Sequence, residues 1–358
     1  MLYENASAQG CIDLGGRLIG PGSPTLFLPD IGTFFNHDAA LAIAMIARLK
    51  DAGAEIVKGE ILHDPNICLS DDTEEVYFSL GQRRAVAERY RDLIERKVLP
   101  LSTYERIFKE CKTAGLPFVL SVYDFAGAEF ARDIGAAGLK IASSNVVHEP
   151  LIRYVARLGL PVFIDTGRTT FSEIARAVDW ARDAGATELI MEHSPPPPPA
   201  PVEEQNLRVI QTFEAAFGCP VGLSDHHSGV EMLYGAVALG ACVVEKGICA
   251  NARLDDQDVS HALAIERFAE VNHTCQLIHK GLGTGQMPRV RGKKTSRMCL
   301  TAGSDLAPGG RLSLEATNFA FPAKGIPVEC WELVQGWRLR RAVAKGTPIT
   351  WADVEPDG

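Results

Sequence analysis

Repeated alternation between short apolar segments and amphipathic helices constrains the fold of this chain more than any other feature of its sequence. The apolar segments occupy positions 25–32, 54–60, 117–124, 139–145, 161–167, 188–194, 220–226 and 241–247. Eight strand–helix units over roughly 260 residues are typical of the α/β class and match the closed (β/α)8 barrel, or TIM barrel. A doubly wound open sheet is the alternative, but the Gly-x-Gly-x-x-Gly motif that usually follows its first strand is missing from this sequence.

The repeat stops near residue 282, which predicts three parts of the chain. Residues 1–282 form the barrel, and residues 283–295, which are rich in Gly, Lys and Arg, form a linker. Residues 296–358 combine short strand-like segments with Gly and Pro turns and predict a small β-rich domain. Because a domain of this size buries little core, we expect it to pack against a barrel, either its own or that of a second copy.

Charge and cysteine content limit the partners of the chain. Its 36 Lys and Arg residues against 45 Asp and Glu residues leave a net charge of −9, which disfavours nucleic acid or an anionic membrane as the main partner. No apolar stretch of the sequence is long enough to span a membrane, and we expect no secretory signal. The nine cysteines include no Cys-x-x-Cys pair, so we expect reduced thiols and a cytoplasmic location.

Polar side chains end every predicted strand. Because the loops that follow the strands of a parallel barrel build its site, we expect these side chains to converge. They are Asp30, Lys58, Glu60, Ser121, Asp124, Lys140, Ser143, Asp165, Thr166, Glu192, His193, Ser224, Asp225, His226, Glu245 and Lys246. Buried charges at so many strand ends are costly unless they are paired or used, so the set predicts a catalytic or binding site.

Three lysines of this set, Lys58, Lys140 and Lys246, predict an anion-binding site. Their ammonium groups, together with the serine hydroxyls at neighbouring strand ends, suit a phosphate or a carboxylate. A lysine in a barrel could instead form a Schiff base with a carbonyl substrate. The simplest alternative is that a lysine only neutralises a nearby carboxylate, which is credible for Lys246 beside Glu245.

Two further segments carry chemical information. The run SDHH at 224–227 places a carboxylate beside an imidazole, which suits acid–base chemistry or a divalent metal. The run SPPPPPAP at 194–201 follows the sixth strand and predicts extended backbone. It could bind an SH3-type domain, but in this loop we expect a rigid wall of the site.

Several of these segments, in this order and spacing, resemble the sialic acid (N-acetylneuraminate) synthase family. They are LKIASSN (139–145), FIDTG (163–167), SDHHSG (224–229) and GACVVEKG (240–247), and AGAEIVKGE (52–60) is similar to the family's second strand. The tail from KKTSRMCL (293–300) through FPAKGIPVECWELVQG (321–336) to AKGTPITWADV (344–354) resembles the family's C-terminal antifreeze-like (SAF) domain. The resemblance covers nearly the whole chain and implies a TIM barrel followed by a SAF domain.

This resemblance implies an activity, a cofactor and an oligomeric state. The family condenses phosphoenolpyruvate with the open-chain aldehyde of an N-acetylated amino sugar, giving a nonulosonic (sialic-type) acid and phosphate. A divalent metal, Mn²⁺ or Mg²⁺, polarises the aldehyde. The family also implies a domain-swapped homodimer, in which the SAF domain of one copy covers the mouth of the other copy's barrel.

The resemblance also assigns roles to side chains at the strand ends. The predicted catalytic residues are Asp30, Lys58, Lys140 and Asp225. The predicted substrate-binding residues are Glu60, Ser143, Asn145, Asp165, Ser224, Glu245, Lys246 and Asp258. The predicted metal ligand is His226. Four of these, Lys58, Lys140, Ser143 and Ser224, stand at positions that bind phosphoenolpyruvate in the family.

The chain departs from the family pattern at the metal. The second metal-binding histidine of the family is Gly247 here. A metal would therefore need another ligand, for which the candidates are Asp30, Glu60, Asp165 and His193.

Other departures concern the acid and the acceptor. The general-acid glutamate of the family is Asp30, and a family serine is Asp165, which adds an anion where a phosphate would lie. The sugar-contacting Gln and Glu are Glu60 and Asn145. The Asn and Tyr of the sixth-strand loop fall within residues 195–199, and the SAF-domain arginine is Phe321.

Three hypotheses follow for the function. The first is a synthase that condenses phosphoenolpyruvate with an amino-sugar-like aldehyde and has altered acceptor or metal use. The second is other carbonyl chemistry in the same barrel, aldolase-type cleavage or hydration, with Lys58 or Lys140 as the base or the Schiff-base former. The third is a non-catalytic sugar-binding relative, which Gly247 and Phe321 motivate.

Overall fold

The computed structural model describes residues 10–35, 37–79, 82–195, 202–250, 258–286 and 296–357. The chain divides into two compact units, Met1–Thr284 and Gly285–Gly358. Most of the predicted linker, residues 287–295, lies outside the described residues, as does most of the proline run, residues 196–201.

The first unit contains a closed barrel of eight parallel strands. They are β1 (Leu26–Asp30), β2 (Val57–Ile61), β3 (Phe118–Val122), β4 (Gly138–Ile141), β5 (Val162–Asp165), β6 (Leu189–His193), β7 (Val221–Asp225) and β8 (Val243–Cys249). Each strand pairs with the next, and β8 pairs in parallel with β1, which closes the cylinder. Each predicted apolar segment overlaps one strand, so the predicted TIM barrel is confirmed.

Eight main helices alternate with these strands. They are α1 (Ala39–Asp51), α2 (Leu101–Thr113), α3 (Phe125–Asp133), α4 (Glu149–Arg157), α5 (Phe171–Asp183), α6 (Val209–Phe217), α7 (Glu231–Ala238) and α8 (Phe268–Leu282). Local sequence sets their ends. The Asp38 side chain accepts hydrogen bonds from the first N–H groups of α1, and Thr170 with Glu173 forms a capping box on α5.

Two antiparallel hairpins add to the barrel. The first pairs Ile12–Leu14 with Arg17–Ile19, and its apolar side chains pack against Leu26, Leu28 and Phe163 in the barrel interior. The second pairs Glu74–Ser79 with Arg84–Arg89 in the segment between β2 and α2, where a short helix, Tyr90–Glu95, follows it. The alternation of apolar segments and amphipathic helices in the sequence did not predict either hairpin.

The second unit is a small β-rich domain, as predicted. Strand Cys299–Ala302 pairs with Thr317–Ala320, Arg338–Leu339 pairs with Val354–Glu355, and a single turn of helix spans Trp331–Val334. Its core contains Leu300, Leu312, Ile326, Val334, Leu339, Val343, Ile349 and Val354.

Two general expectations can be compared with the structure. Eight cysteines are free thiols, namely Cys68, Cys111, Cys219, Cys242, Cys249, Cys275, Cys299 and Cys330. Among the residues that the structure describes, no helix is both long and apolar enough to cross a membrane.

Candidate active site at the mouth of the barrel

A polar cavity of about 220 Å³ lies where the carboxyl ends of the barrel strands meet. Every predicted site residue lines it except Asn145. That asparagine belongs to the 3₁₀ turn Ser143–Asn145, and its side-chain amide nitrogen is buried without a hydrogen-bond partner among the described residues.

One layer of the barrel interior near this cavity is entirely charged. Lys58, Lys140, Glu192 and Glu245 come from β2, β4, β6 and β8, the alternation of strands that builds one interior layer of a parallel barrel. All four side chains are buried. The layer joins the two predicted catalytic lysines, because Glu245 Oε1 lies 2.8 Å from Lys140 Nζ and 3.5 Å from Lys58 Nζ.

Lys58 lies between carboxylates from three strands. Its Nζ donates to Asp30 Oδ2 at 2.6 Å and lies 3.5 Å from both Glu60 Oε1 and Glu245 Oε1. Burial opposes the charged ammonium, but these carboxylates together raise the pKa of Lys58 above its ordinary value. Burial raises the pKa of Asp30 to about 6, against the lowering effect of Lys58.

Lys140 contacts more carboxylates at close range. Its Nζ lies 2.6 Å from Glu192 Oε2, 2.8 Å from Glu245 Oε1 and 2.9 Å from Asp165 Oδ2. It also donates to Ser224 Oγ at 3.3 Å. Burial again opposes the charge, and the three carboxylates raise the pKa of Lys140 well above its ordinary value. Both lysines are therefore held as ammonium ions.

The carboxylates around Lys140 respond differently to it. Burial raises the pKa of Glu192 to about 8, and the neighbouring charge of Glu245 adds to this rise. For Asp165 and Glu245, burial acts in the same direction, but Lys140 outweighs it and lowers the pKa of both carboxyl groups. Near neutral pH the cluster around Lys140 therefore contains one protonated acid, Glu192, and two carboxylates, Asp165 and Glu245.

Lys246 pairs with a carboxylate, which was the simplest alternative for the lysines, but that carboxylate is not its sequence neighbour Glu245. Its Nζ donates to Asp225 Oδ2 at 2.8 Å and to the backbone carbonyl oxygen of His227. Successive side chains of a strand point to opposite faces, and Asp225 is the direct cross-strand partner of Lys246 on β7. Burial lowers the pKa of Lys246.

The remaining predicted residues line the cavity with polar atoms. Glu60 Oε2 accepts a hydrogen bond from the Tyr123 hydroxyl at 3.0 Å, and Asp258 Oδ2 lies 3.5 Å from Lys97 Nζ. The Ser143 and Ser224 hydroxyls face the same space, and Ser224 Oγ donates to Glu245 Oε1 at 3.3 Å.

The described residues do not fit the two-histidine metal centre that the resemblance implies. No described group of three or more His, Cys, Asp or Glu side chains could hold a metal ion. At Gly247, which replaces the second histidine, an added Cβ atom would lie 2.8 Å from the Phe34 ring, so this ring occupies the space of the missing side chain.

The candidate substitutes for that histidine are engaged elsewhere. Asp30, Glu60 and Asp165 contact Lys58 or Lys140. His193 Nε2 is 2.8 Å from the carbonyl oxygen of Gln205, and this ring does not line the cavity. The neighbour of His226 is instead a second imidazole, His261, with ring centroids 4.8 Å apart.

A second, larger cleft adjoins the polar cavity. It has a volume of about 1140 Å³ and shares Ser143, Ser144, His226, Asp258 and His261 with the cavity. Its other wall is largely apolar and includes Val76, Tyr77, Phe78 and Tyr90 of the second hairpin and the helix after it, with Val146 and Val147 opposite. Pro195, the first residue of the proline run, also lines this cleft.

Sequence reasoning named Glu192 among the converging strand-end residues but gave it no catalytic or binding role. A signal for it existed, because Glu192 is the β6 member of the layer that already contained two predicted lysines and Glu245. Phe34, His261 and the second hairpin had no such signal, since each lies outside the barrel strands.

Comparisons with known proteins agree with this geometry. Residues 45–287 match the NeuB family and residues 297–355 match the SAF domain. An uncharacterised protein of Methanocaldococcus jannaschii is 28% identical over 97% of this chain and 99% of its own length. The N,N'-diacetyllegionaminic acid synthase of Campylobacter jejuni is 26% identical over 86% of this chain and 93% of its own length.

A solved structure shows the same fold. The N-acetylneuraminic acid synthetase of Leptospira borgpetersenii, in complex with citrate, aligns with a TM-score of 0.69 at 24% identity and covers 78% of this chain and 93% of its own. The family match spans more than half of the chain and includes all of the barrel strands from β2 to β8. The chain therefore belongs to the NeuB family and carries a SAF domain after its barrel.

Proposed function

We propose that this protein is a carbon–carbon bond-forming synthase that condenses phosphoenolpyruvate with an amino-sugar-like aldehyde to give a nonulosonic acid and phosphate. One observation carries the proposal. Two ammonium groups, Lys58 and Lys140, converge at the floor of one cavity and share Glu245 as a partner. Ammonium groups and hydroxyls in a buried site recognise the phosphate and carboxylate of phosphoenolpyruvate.

The reaction balances with one water molecule. Carbon 3 of phosphoenolpyruvate bonds to the aldehyde carbon while the aldehyde oxygen takes a proton. Water then adds to carbon 2, and the bond between carbon 2 and the phosphate oxygen breaks as phosphate leaves and the new hydroxyl loses its proton. In this scheme Lys58 and Lys140 stabilise the anionic groups throughout.

Asp30 and Asp225 take the remaining catalytic roles in this proposal. Asp30 has a pKa of about 6, so it can carry the proton that the aldehyde oxygen receives. Asp225 holds Lys246 in place through the contact at 2.8 Å. Ser143, Ser224, Asp165, Glu245 and Lys246 would surround phosphoenolpyruvate, and Glu60, Asn145 and Asp258 the acceptor.

The acceptor would extend into the larger cleft. This cleft is continuous with the cavity through five shared residues, and its free wall is mainly apolar. The acidic groups Glu75, Glu173 and Asp258 face the cleft with Arg168. An acceptor with acyl or alkyl substituents suits this lining better than a phosphorylated one.

The expected Mn²⁺ or Mg²⁺ ion enters no step of this scheme, because the donor set of the family's metal centre is not reproduced. Its binding, the domain-swapped homodimer and the cytoplasmic location stay predictions. The pKa values of Lys58 and Lys140 oppose the Schiff-base alternative, since a Schiff base forms from a neutral amine and both are raised.

The test is a phosphate-release assay with phosphoenolpyruvate and a panel of N-acylated amino-sugar aldehydes, with and without Mn²⁺. The proposal expects release that requires both substrates, together with a product whose mass equals the two substrates plus water minus phosphoric acid. Release without an acceptor, or trapping of a lysine adduct by borohydride, would favour the other chemistries. Failure to bind phosphoenolpyruvate would favour the non-catalytic relative.

A further inference from the structure

The charged cluster below the cavity contains more carboxylates than its lysines can neutralise. Asp30, Glu60 and Glu245 contact Lys58, and Asp165, Glu192 and Glu245 contact Lys140. Two ammonium groups therefore face five carboxyl groups. Glu60 is partly exposed, but the four buried carboxyl groups alone, if all were ionised, would exceed the two ammonium groups by two negative charges, which is too costly to persist. At least one carboxyl group must hold a proton.

Glu192 is the member of the cluster best placed to hold it. Its side chain is fully buried, whereas Asp30, Glu60 and Glu245 each keep some contact with solvent. Its Oε1 is buried without a hydrogen-bond partner among the described residues, as is Oε2 of Glu245. Glu245 Oε1, however, contacts both lysines and accepts from Ser224, whereas the ion pair of Glu192 Oε2 among the described residues is with Lys140 alone. An unpartnered oxygen deep in a protein costs less in a neutral acid than in a carboxylate.

We propose that Glu192 is a positioning residue. By binding a proton, Glu192 releases Lys140 from an ionic contact, so that the Lys140 ammonium group is free to hold an anionic substrate. This inference rests on the proposed function. When phosphoenolpyruvate approaches, Lys140 must exchange carboxylate contacts for substrate oxygens. The added negative charge strengthens the hold of Glu192 on its proton. Binding above neutral pH is therefore coupled to the uptake of one proton.

Each titratable group around Glu192 has a defined part in this coupling. Lys140 on β4 faces it directly, Asp165 is its cross-strand partner on β5, and Glu245 approaches from β8. Glu245 also contacts Lys58, which in turn pairs with Asp30. The Cys242 thiol lies near enough to be affected by the charge of Glu192. The pKa of about 8 for Glu192 lies above the pKa of about 6 for Asp30, and the pKa values of Asp165 and Glu245 are lowered, so Glu192 is the carboxyl group of the cluster that titrates above neutral pH.

Calorimetric binding of phosphoenolpyruvate between pH 7.5 and 9.5 tests the inference, in buffers that differ in their enthalpy of ionisation. Substrate phosphate is already ionised in this range, so its own titration does not contribute. For the wild type we expect uptake of up to one proton and a Kd that rises about tenfold per pH unit above the pKa of Glu192. The Glu192→Gln variant mimics the neutral acid, so its Kd should be nearly independent of pH. The control variant Glu266→Gln removes an exposed carboxylate that pairs with Arg48, so it should keep the pH dependence.

A readout without ligand separates this inference from the proposed function. The infrared spectrum of the free protein at pH 7 should contain a band of a protonated carboxylic acid that Glu192→Gln lacks and Glu266→Gln keeps. If this band is present but phosphoenolpyruvate does not bind at any pH, the proposed function fails and the protonated Glu192 stands. If phosphoenolpyruvate binds without proton uptake, or Glu192→Gln keeps the wild-type pH dependence, the inference is overturned. A missing band also overturns it.

Discussion

Replacing Lys140 by methionine tests the electrostatic description of the barrel interior. The substitution keeps the unbranched apolar part of the side chain and removes the ammonium group from three carboxyl groups that lie 2.6, 2.8 and 2.9 Å away. Breaking a buried ion pair costs about 3–5 kcal/mol because the remaining charge is left uncompensated. We therefore expect Lys140→Met to lower the free energy of unfolding by about this amount at pH 8.

The loss should shrink as the pH falls. Without the ammonium group, the pKa values of Asp165 and Glu245 rise in the folded state, so the folded variant binds more protons than the unfolded chain and gains stability as the pH decreases. One proton is worth about 1.4 kcal/mol per pH unit, so moving from pH 8 to pH 6 should recover about 1–3 kcal/mol. The wild type does not share this gain for Asp165 and Glu245, whose carboxyl pKa values are lowered.

Urea unfolding followed by far-UV circular dichroism is the assay. The described helices lie almost entirely in the first unit, so the helical signal reports on the barrel. Arg48→Met is the control, because it removes one cation from an exposed pair with Glu266 and should change stability by about 0.5 kcal/mol or less. A Lys140→Met loss that equals the control, or one that is the same at pH 8 and pH 6, would refute the reasoning.

Three further outcomes follow from the site. Asp30→Asn should lower kcat by about 10²–10⁴-fold, and wild-type kcat should fall as the pH rises through about 6, where Asp30 loses its proton; an unchanged kcat in the variant rules out the acid role. Gly247→His alone should fail to create a Mn²⁺ site, whereas Gly247→His with Phe34→Ala should bind Mn²⁺ measurably in a spin-resonance titration; equal affinity of the two variants would contradict the steric argument. Phe78→Ala should raise the KM for the acceptor severalfold and leave the KM for phosphoenolpyruvate unchanged. A rise in both KM values would contradict the assignment of the cleft to the acceptor.

The barrel and the place of its site could be predicted from sequence because both depend on local patterns. Each strand is a short apolar run, and its polar end must meet the other strand ends at one mouth of a parallel barrel. Lys58 and Lys140 were therefore found to converge without any knowledge of contacts. The resemblance then supplied roles that the pattern alone does not contain.

The partners inside the site could not be predicted, since they depend on distances across the barrel. Lys246 reaches Asp225 on the neighbouring strand and not Glu245 beside it in sequence. Glu192 contacts Lys140 from two strands away, a pairing that only closure of the barrel creates. Phe34 comes from the loop after β1 and fills the space at Gly247. No local sequence pattern predicts this contact.

The most direct test of the proposed chemistry is a crystal structure of the protein with phosphoenolpyruvate bound. The account predicts phosphate and carboxylate oxygens within about 3.2 Å of Lys58 Nζ and Lys140 Nζ, with at least one of the present carboxylate contacts of Lys140 lengthened. Phosphoenolpyruvate bound away from both lysines, with their carboxylate contacts unchanged, would contradict it.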